Sequence, residues 1–333
     1  MSFRLATTPF SKRRMAEIAR KVYDVVIVGG GPAGLTAAIY AARYMLDTIL
    51  VTEEIGGQIA EAGWVENYPG FPRILGSELV KRFVDHVRHY KVPIILDYVE
   101  NVKRDADCDC FHVETRRGVT YKSHTVILAV GVKRRRLNVP GEAELRGKGV
   151  SYCAPCDAPL FKDKTVAVVG GGDSAASAAL LLAEYASKVY IVHRRDKLRV
   201  QPIYEKLLRE NPKIEVVYNK VVQRIIGSNR VEGIELRDRV TGETSVLRVD
   251  GVFVEIGSEP PKELAQRIGL ETDEEGYIKV GPDQSTNIPG IFAAGDCTTA
   301  MNKYRQVITA AAQGAVAAAS AYNYLVRKGI KGK

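Results

Sequence analysis

Two strand–glycine–helix signatures, a cysteine pair in C-x-x-C spacing and a Gly-Asp step near the C-terminus predict an α/β chain. The architecture they imply is two Rossmann-like, three-layer nucleotide-binding domains, one inserted into a discontinuous other. The boundaries read as a basic extension over 1–22, a first nucleotide domain over 23–130, an inserted domain over 131–254, and the return of the first over 255–333.

The first signature lies in "YDVVIVGGGPAGLTAAIYAARY". An apolar, β-branched run, Val25–Val28, reads as a buried parallel strand, and an Ala-rich stretch from Leu35 to Tyr44 as a helix. Between them Gly29, Gly31, Pro32, Ala33 and Gly34 form G-x-G-x-x-G. The first glycine makes the tight turn, the second admits a pyrophosphate close to the backbone, and the third lets helix and strand pack. The phosphates then meet a helix N-terminus, whose free N–H groups and dipole favour negative charge. The next strand, "DTILVTEE", delivers Glu53 and Glu54 about 20 residues on, where a carboxylate accepts from ribose hydroxyls.

The second signature is "KTVAVVGGGDSAASAALLLAEYASKVYIVHRRDKLR". A strand (Val166–Val169) precedes Gly170, Gly172, Asp173, Ser174 and Ala175, as G-x-G-x-x-A, and then an Ala/Leu helix. The following strand, Val189–Val192, ends in His193, Arg194 and Arg195, with Arg199 close behind. Guanidinium groups where a carboxylate would read the ribose 2′-oxygen favour a 2′-phosphate, so this site predicts NADPH over NADH.

A third segment, "TNIPGIFAAGDCTT", reads as a strand (Ile291–Ala294) ending in Gly295 and Asp296. That aspartate suits the ribityl hydroxyls of a flavin. A helix beginning near Arg305 and Gln306 would aim its positive end at the flavin ring. The first signature with this segment therefore predicts an FAD site.

Composition narrows the class. The chain has 333 residues, 48 basic against 39 acidic, and a formal charge of +9. Such a surface can steer an acidic partner or a phosphorylated cofactor. The basic residues show no aromatic interleaving and no recognised nucleic-acid module, so nucleic-acid binding is not expected. Five cysteines are too few and scattered for a secreted disulfide scaffold. The longest apolar stretch, Val307–Leu325, is broken by Gln313, Ser320 and Asn323 and reads as a buried helix rather than a membrane span. The leader is basic and without an apolar signal core. A cytoplasmic location is expected.

The cysteine pair lies in "GVSYCAPCDAPL", Cys153 and Cys156. Zinc would want four ligands, usually two such pairs. The other close pair, Cys108 and Cys110 in "DADCDCF", is spaced by one residue, and a bond over so short a span strains. That segment is expected to be a polar turn, and Cys297 a buried small residue. With a hydride source and a flavin encoded on either side, Cys153 and Cys156 are expected to be a redox pair.

Together, "GGGPAG", "GGQIAEAGWVENYPGFP", "GVSYCAPCD", "VAVVGGGDSAASAALLLA", "VHRRDKLR" and "IPGIFAAGDC...YRQVITAAAQG" resemble the low-molecular-weight thioredoxin reductases, in order and spacing, from about Tyr23 onward. The resemblance implies NADPH-dependent reduction of a thioredoxin or glutaredoxin-like disulfide through FAD and a Cys153–Cys156 disulfide. It places Gly57, Gln58 and Asn67 in the flavin site with Asp296, Arg305 and Gln306, and makes Asp157 a proton donor. It also implies that Cys156 faces the flavin while Cys153 attacks the partner, that the chain is a homodimer, and that the inserted domain rotates during turnover. The basic extension and Val130, where the family often has Thr, depart from its pattern. A flavin NAD(P)H oxidase, or a reductase of another redox carrier, is the alternative on the same scaffold.

Overall fold

The computed structural model describes residues 21–61, 64–105 and 107–331, so nearly all of the expected basic extension over 1–22 lies outside the described residues. The chain divides into two compact units, one running up to Lys133 and resuming at Glu259, the other Arg134–Ser258.

In the first unit the strands Ile94–Leu96, Thr48–Ile55, Val22–Gly30 and Thr120–Leu128 pair in parallel in that order. Strand Thr120–Leu128 has two further neighbours. Its first half pairs antiparallel with Cys110–Thr115, and its second half parallel with Ile291–Ala293. Alternate residues of the central strands feed opposite faces, as the two-residue period requires. Val25, Ile27, Leu50 and Ile127 enter one core with the helices Pro32–Arg43, Gly76–His89 and Val307–Arg327. Val26, Val28, Ile49, Val51, Val126 and Leu128 enter the other. Each such fully buried aliphatic side chain contributes about 1.5–3 kcal/mol relative to exposure. Helices Pro32–Arg43 and Val307–Arg327 touch where Gly314 meets Ala33, since a Cβ on Gly314 would lie 2.0 Å from the Ala33 carbonyl oxygen.

The second unit is built on a parallel sheet ordered Val150–Ser151, Gly251–Glu255, Thr165–Gly170, Lys188–Val192, Ile214–Val217. Helix Asp173–Tyr185 lays Ala175, Ala179 and Leu182 on one face, against Val166, Val168, Ile191 and Phe253. The other face, with Ala167, Val169, Val252 and Val254, is covered by Ile225, Ile234 and Leu236 of an antiparallel three-stranded sheet.

Among the described residues no helix is long and apolar enough to cross a membrane. The hairpin Val99–Asp105/Cys110–Thr115 corrects one expectation, because Cys108 and Cys110 are disulfide-bonded. Asp109 between them adopts φ +45°, and its carboxylate is held by Arg104 and Lys328. The left-handed residue folds the turn back and brings the two Cα atoms to 5.1 Å, inside the range a disulfide spans.

Candidate active site

The first glycine turn is shaped by contact. Gly29 has φ +111°, and a Cβ there would lie 2.2 Å from the Ala129 carbonyl oxygen. One on Gly34 would lie 1.9 Å from the Gly29 carbonyl oxygen, so helix and strand are as close as backbones allow. Around Gly31 nothing lies within 4 Å of the Cβ position, leaving room above the helix. Gly31 is also the N-cap of helix Pro32–Arg43 and offers no side-chain cap, so the first-turn N–H groups are left for a ligand. Proline in the first turn fits, because its missing N–H removes nothing the helix needs.

The sequence-predicted residues gather unevenly about this turn. Gly57 faces Gly31, its Cβ position 3.6 Å from the Gly31 Cα. Glu54 is at the end of its strand beside Gly30, whereas the Glu53 carboxylate accepts from Arg116 Nη1 at 3.1 Å. Gln58 Nε2 donates to the Val132 carbonyl at 3.1 Å. Asn67 Nδ2 donates to Gln306 Oε1 at 2.8 Å, joining two segments distant in sequence. Gln306 is the N-cap of helix Val307–Arg327 and forms a capping box with Thr309.

Gly295 turns the chain at φ +84° and donates its N–H to Gln313 Oε1 at 2.7 Å. Asp296 follows, its carboxyl pushed up by burial and partly held down by Arg305. Arg305 stacks 4.3 Å from the centre of the Tyr277 ring, and among the described residues its buried Nε has no hydrogen-bond partner. An orphaned guanidinium nitrogen beside a desolvated carboxyl is what a site for a hydroxyl- and carbonyl-rich ligand leaves behind. Open space at Gly31, uncapped N–H groups and this pair fit a flavin dinucleotide. Cys297, next in sequence, is a fully buried free thiol pushed up to about 12 by desolvation, which leaves it inert.

In the second unit Gly172 caps helix Asp173–Tyr185 in the same uncapped manner. A Cβ on Gly170 would lie 2.8 Å from the Ala175 Cβ, so strand and helix meet closely here too. Asp173 accepts from both the backbone N–H and the side-chain amide of Gln201, at 2.8 and 2.6 Å, while Arg199 N–H donates to the Gly171 carbonyl at 2.7 Å. The loop carrying Arg199 is thereby tied to the glycine turn. Ser174, Arg194, Arg195 and Arg199 are exposed. His193 differs from its arginine neighbours. It is buried, its Nδ1 is 3.0 Å from the Gly170 carbonyl, and desolvation lowers its pKa. Its ring occupies the space a Cβ on Gly171 would need, so neutral His193 buttresses the turn.

Cys153 is buried, disulfide-bonded, and the N-cap of the short helix Ala154–Asp157. Ser151 Oγ accepts its N–H at 3.0 Å. Asp157, half-buried, ends that helix and donates its N–H to the Cys153 carbonyl at 3.2 Å. The Cys156 backbone belongs to the helix, and its side chain lies outside those described. Ala154 and Ala158 enter the same core as Ala175 and Ala176, so the cysteine helix and the second glycine turn share one packed unit.

The sequence reading missed three residues. Gln313 looked like a flaw in an apolar helix. Arg239 Nη1 donates to the Arg194 carbonyl at 2.9 Å, adding a cation to the arginine cluster from a distant hairpin. Buried Glu142 accepts from the Leu137 and Asn138 N–H groups and the Tyr152 hydroxyl, bracing the residue before Cys153. Only Gln313 carries a local signal, as a polar break in an apolar stretch, and nothing local marks Arg239 or Glu142.

Comparison with known proteins agrees with this fold. The pattern of the pyridine nucleotide-disulphide oxidoreductases matches residues 23–314. The chain belongs to that family. It is an oxidoreductase that uses a flavin and a nicotinamide nucleotide. It is 43% identical over 307 residues to a thioredoxin reductase of Bacillus subtilis, covering 92% of this chain and 95% of that protein. It is also 39% identical to an NADH dehydrogenase of the same organism, covering 92% of this chain but 60% of that protein. The solved thioredoxin reductase of Lactococcus lactis superposes with a TM-score of 0.87 at 37% identity, covering 92% of this chain and 99% of that one.

Proposed function

We propose that the protein reduces the disulfide of thioredoxin or a glutaredoxin-like protein at the expense of NADPH. The observation that carries this reading is oxidised Cys153, at the head of a helix packed in the same unit as a glycine turn flanked by arginines. The first unit is assigned FAD, through Gly31, Gly57, Glu54, Asp296 and Arg305. The second is assigned NADPH, through Gly172, Ser174, Arg194, Arg195 and Arg199. Bound FAD would supply the two-electron relay between nicotinamide and the Cys153–Cys156 disulfide.

The chain's own residues do the rest. In the dithiol form the Cys153 thiolate attacks one sulfur of the partner's disulfide, forming a mixed disulfide and releasing the other sulfur as a thiolate. Asp157 gives that thiolate a proton. Cys156 then attacks Cys153, restoring the internal disulfide and freeing the second partner thiol. The thiolate, not the thiol, is the nucleophile, so exclusion of solvent and the helix N-terminus at Cys153 both bear on the rate. Around a thioredoxin potential near about −270 mV, a shift of about 30 mV changes the balance by about 1.4 kcal/mol.

A second reading, transfer to an acceptor other than a protein disulfide, draws on the NADH dehydrogenase relative. Anaerobic NADPH titration followed through the flavin absorbance separates the two. A disulfide coupled to the flavin consumes roughly two equivalents before the flavin is fully reduced, one for each two-electron acceptor. A single equivalent would hand the argument to the second reading. The expected homodimer is tested separately by light scattering.

A further inference from the structure

The hairpin of the first unit holds a set of side chains that the redox reading does not use. Asp105, Cys108, Cys110 and His112 bring one ligand atom each within 4.8 Å of one another. Their placement follows from the ladder. Phe111 and Val113 point into the core, so Cys110 and His112 lie together on the opposite face. Asp105 is the register partner of Cys110 across the hairpin and shares that face. Cys108 is delivered by the turn.

The donors are also poised. Asp105 Oδ1 accepts the Asp107 N–H at 3.0 Å, which aims Oδ2 at His112 Nε2, also 3.0 Å away. That nitrogen is shielded from solvent and, despite the short contact, makes no well-aligned hydrogen bond among the described residues. A shielded imidazole nitrogen facing a carboxylate and two sulfurs has the chemistry of a ligand. The turn is also held by contacts other than the disulfide, since Asp109 is clamped by Arg104 Nη2 at 2.8 Å and Lys328 Nζ at 3.1 Å.

We propose that, when Cys108 and Cys110 are reduced, Asp105, Cys108, Cys110 and His112 form a four-coordinate zinc site. Tetrahedral zinc, with bonds of about 2.0–2.3 Å, holds its ligand atoms about 3.3–3.8 Å apart, so a cluster of this size needs only small side-chain adjustments. Two thiolates with an imidazole and a carboxylate suit zinc better than calcium or magnesium, which take oxygen ligands. The chemistry balances without an internal oxidant. A phosphine takes oxygen from water as it reduces the disulfide to two thiols, and zinc then displaces the two thiol protons to solvent. In the disulfide form both sulfur donors are withdrawn and the site is closed, so metal binding reports the state of this pair.

The test uses the full chain with FAD bound, in a Cys153→Ser/Cys156→Ser background so that no other close pair competes. The protein is reduced with a phosphine, loaded with zinc, passed through gel filtration and assayed for metal by mass spectrometry. About one zinc per chain is expected after reduction and none before it. Cobalt in place of zinc should give the visible bands of a tetrahedral thiolate complex. Adding Cys108→Ser/Cys110→Ser should abolish both signals. His112→Ala and the shape-preserving Asp105→Asn should each weaken zinc at least about tenfold against a competing chelator. Far-UV circular dichroism and retained flavin show that the variants fold. The proposal fails if the reduced protein keeps no zinc, if it keeps zinc without Cys108 and Cys110, or if the His112 and Asp105 changes leave affinity unaltered. None of these readouts depends on turnover, so they stand apart from the proposed activity.

Discussion

Replacing Gln313 with leucine removes the side-chain acceptor of the Gly295 N–H in the Gly295–Asp296 turn. Gln313 is 4% exposed, and its Oε1 accepts the Gly295 N–H at 2.7 Å and lies 3.1 Å from Thr298 Oγ1. The Thr298 hydroxyl has one hydrogen and also reaches the Gly295 carbonyl, at 2.9 Å, so it keeps an acceptor when Gln313 is lost. The Gly295 N–H does not. A buried donor left unsatisfied costs about 1–3 kcal/mol, and leucine is close enough in size to add no large cavity. About 2 kcal/mol should therefore fall on the turn that presents Asp296. If FAD uses that conformation, its affinity drops by as much as about 30-fold, since each 1.4 kcal/mol is tenfold. Equilibrium titration of FAD-free protein with FAD, read by flavin fluorescence, measures the loss. Urea unfolding of the FAD-free chain measures the stability term. Unchanged FAD affinity with an unchanged urea midpoint would refute the assignment of Gln313 as the anchor of this turn.

The remaining predictions address the other parts of the machinery. Arg194→Ala/Arg195→Ala should lower kcat/KM for NADPH by about 10- to 100-fold, taking the low end of a charged hydrogen bond at these exposed sites, and leave NADH nearly untouched. Equal losses for both nucleotides would mean a structural effect. Cys156→Ser should leave NADPH able to reduce the flavin while partner reduction is lost, and the titration endpoint should fall to about one equivalent. His193 makes stability sensitive to acid. Its folded pKa lies below the unfolded value of about 6.5, so the unfolded chain binds the extra proton in that window and stability falls as pH drops below about 6.5. His193→Gln should flatten this slope in unfolding curves measured between pH 7 and pH 5, about the range over which an ordinary histidine titrates. Cys297 should resist thiol reagents in the reduced native protein and react only on unfolding.

What the sequence made legible is what local physics dictates. The strands Val22–Gly30 and Thr165–Gly170 stand where β-branched runs precede glycines, and both helices start where the glycines end. Contact geometry then gives each glycine a distinct reason, since Gly34 touches backbone and Gly31 touches nothing. What stayed hidden depends on long-range contact. Gln313 breaks an apolar pattern in sequence, yet in the fold it is the acceptor for a turn from a distant strand. His193 stands in sequence at the head of an arginine run. Its strand position turns the ring inward, where desolvation keeps it neutral, so the cluster's charge belongs to the arginines alone. The Cys108–Cys110 pair shows the same logic in the other direction. Two residues of separation argue against a bond while the intervening residue is taken as ordinary. Asp109 in the left-handed region, held by Arg104 and by Lys328 just past helix Val307–Arg327, removes that objection. The clamp on Asp109 combines Arg104, five residues away, with Lys328, more than two hundred positions away, and no local window of the sequence contains the second contact.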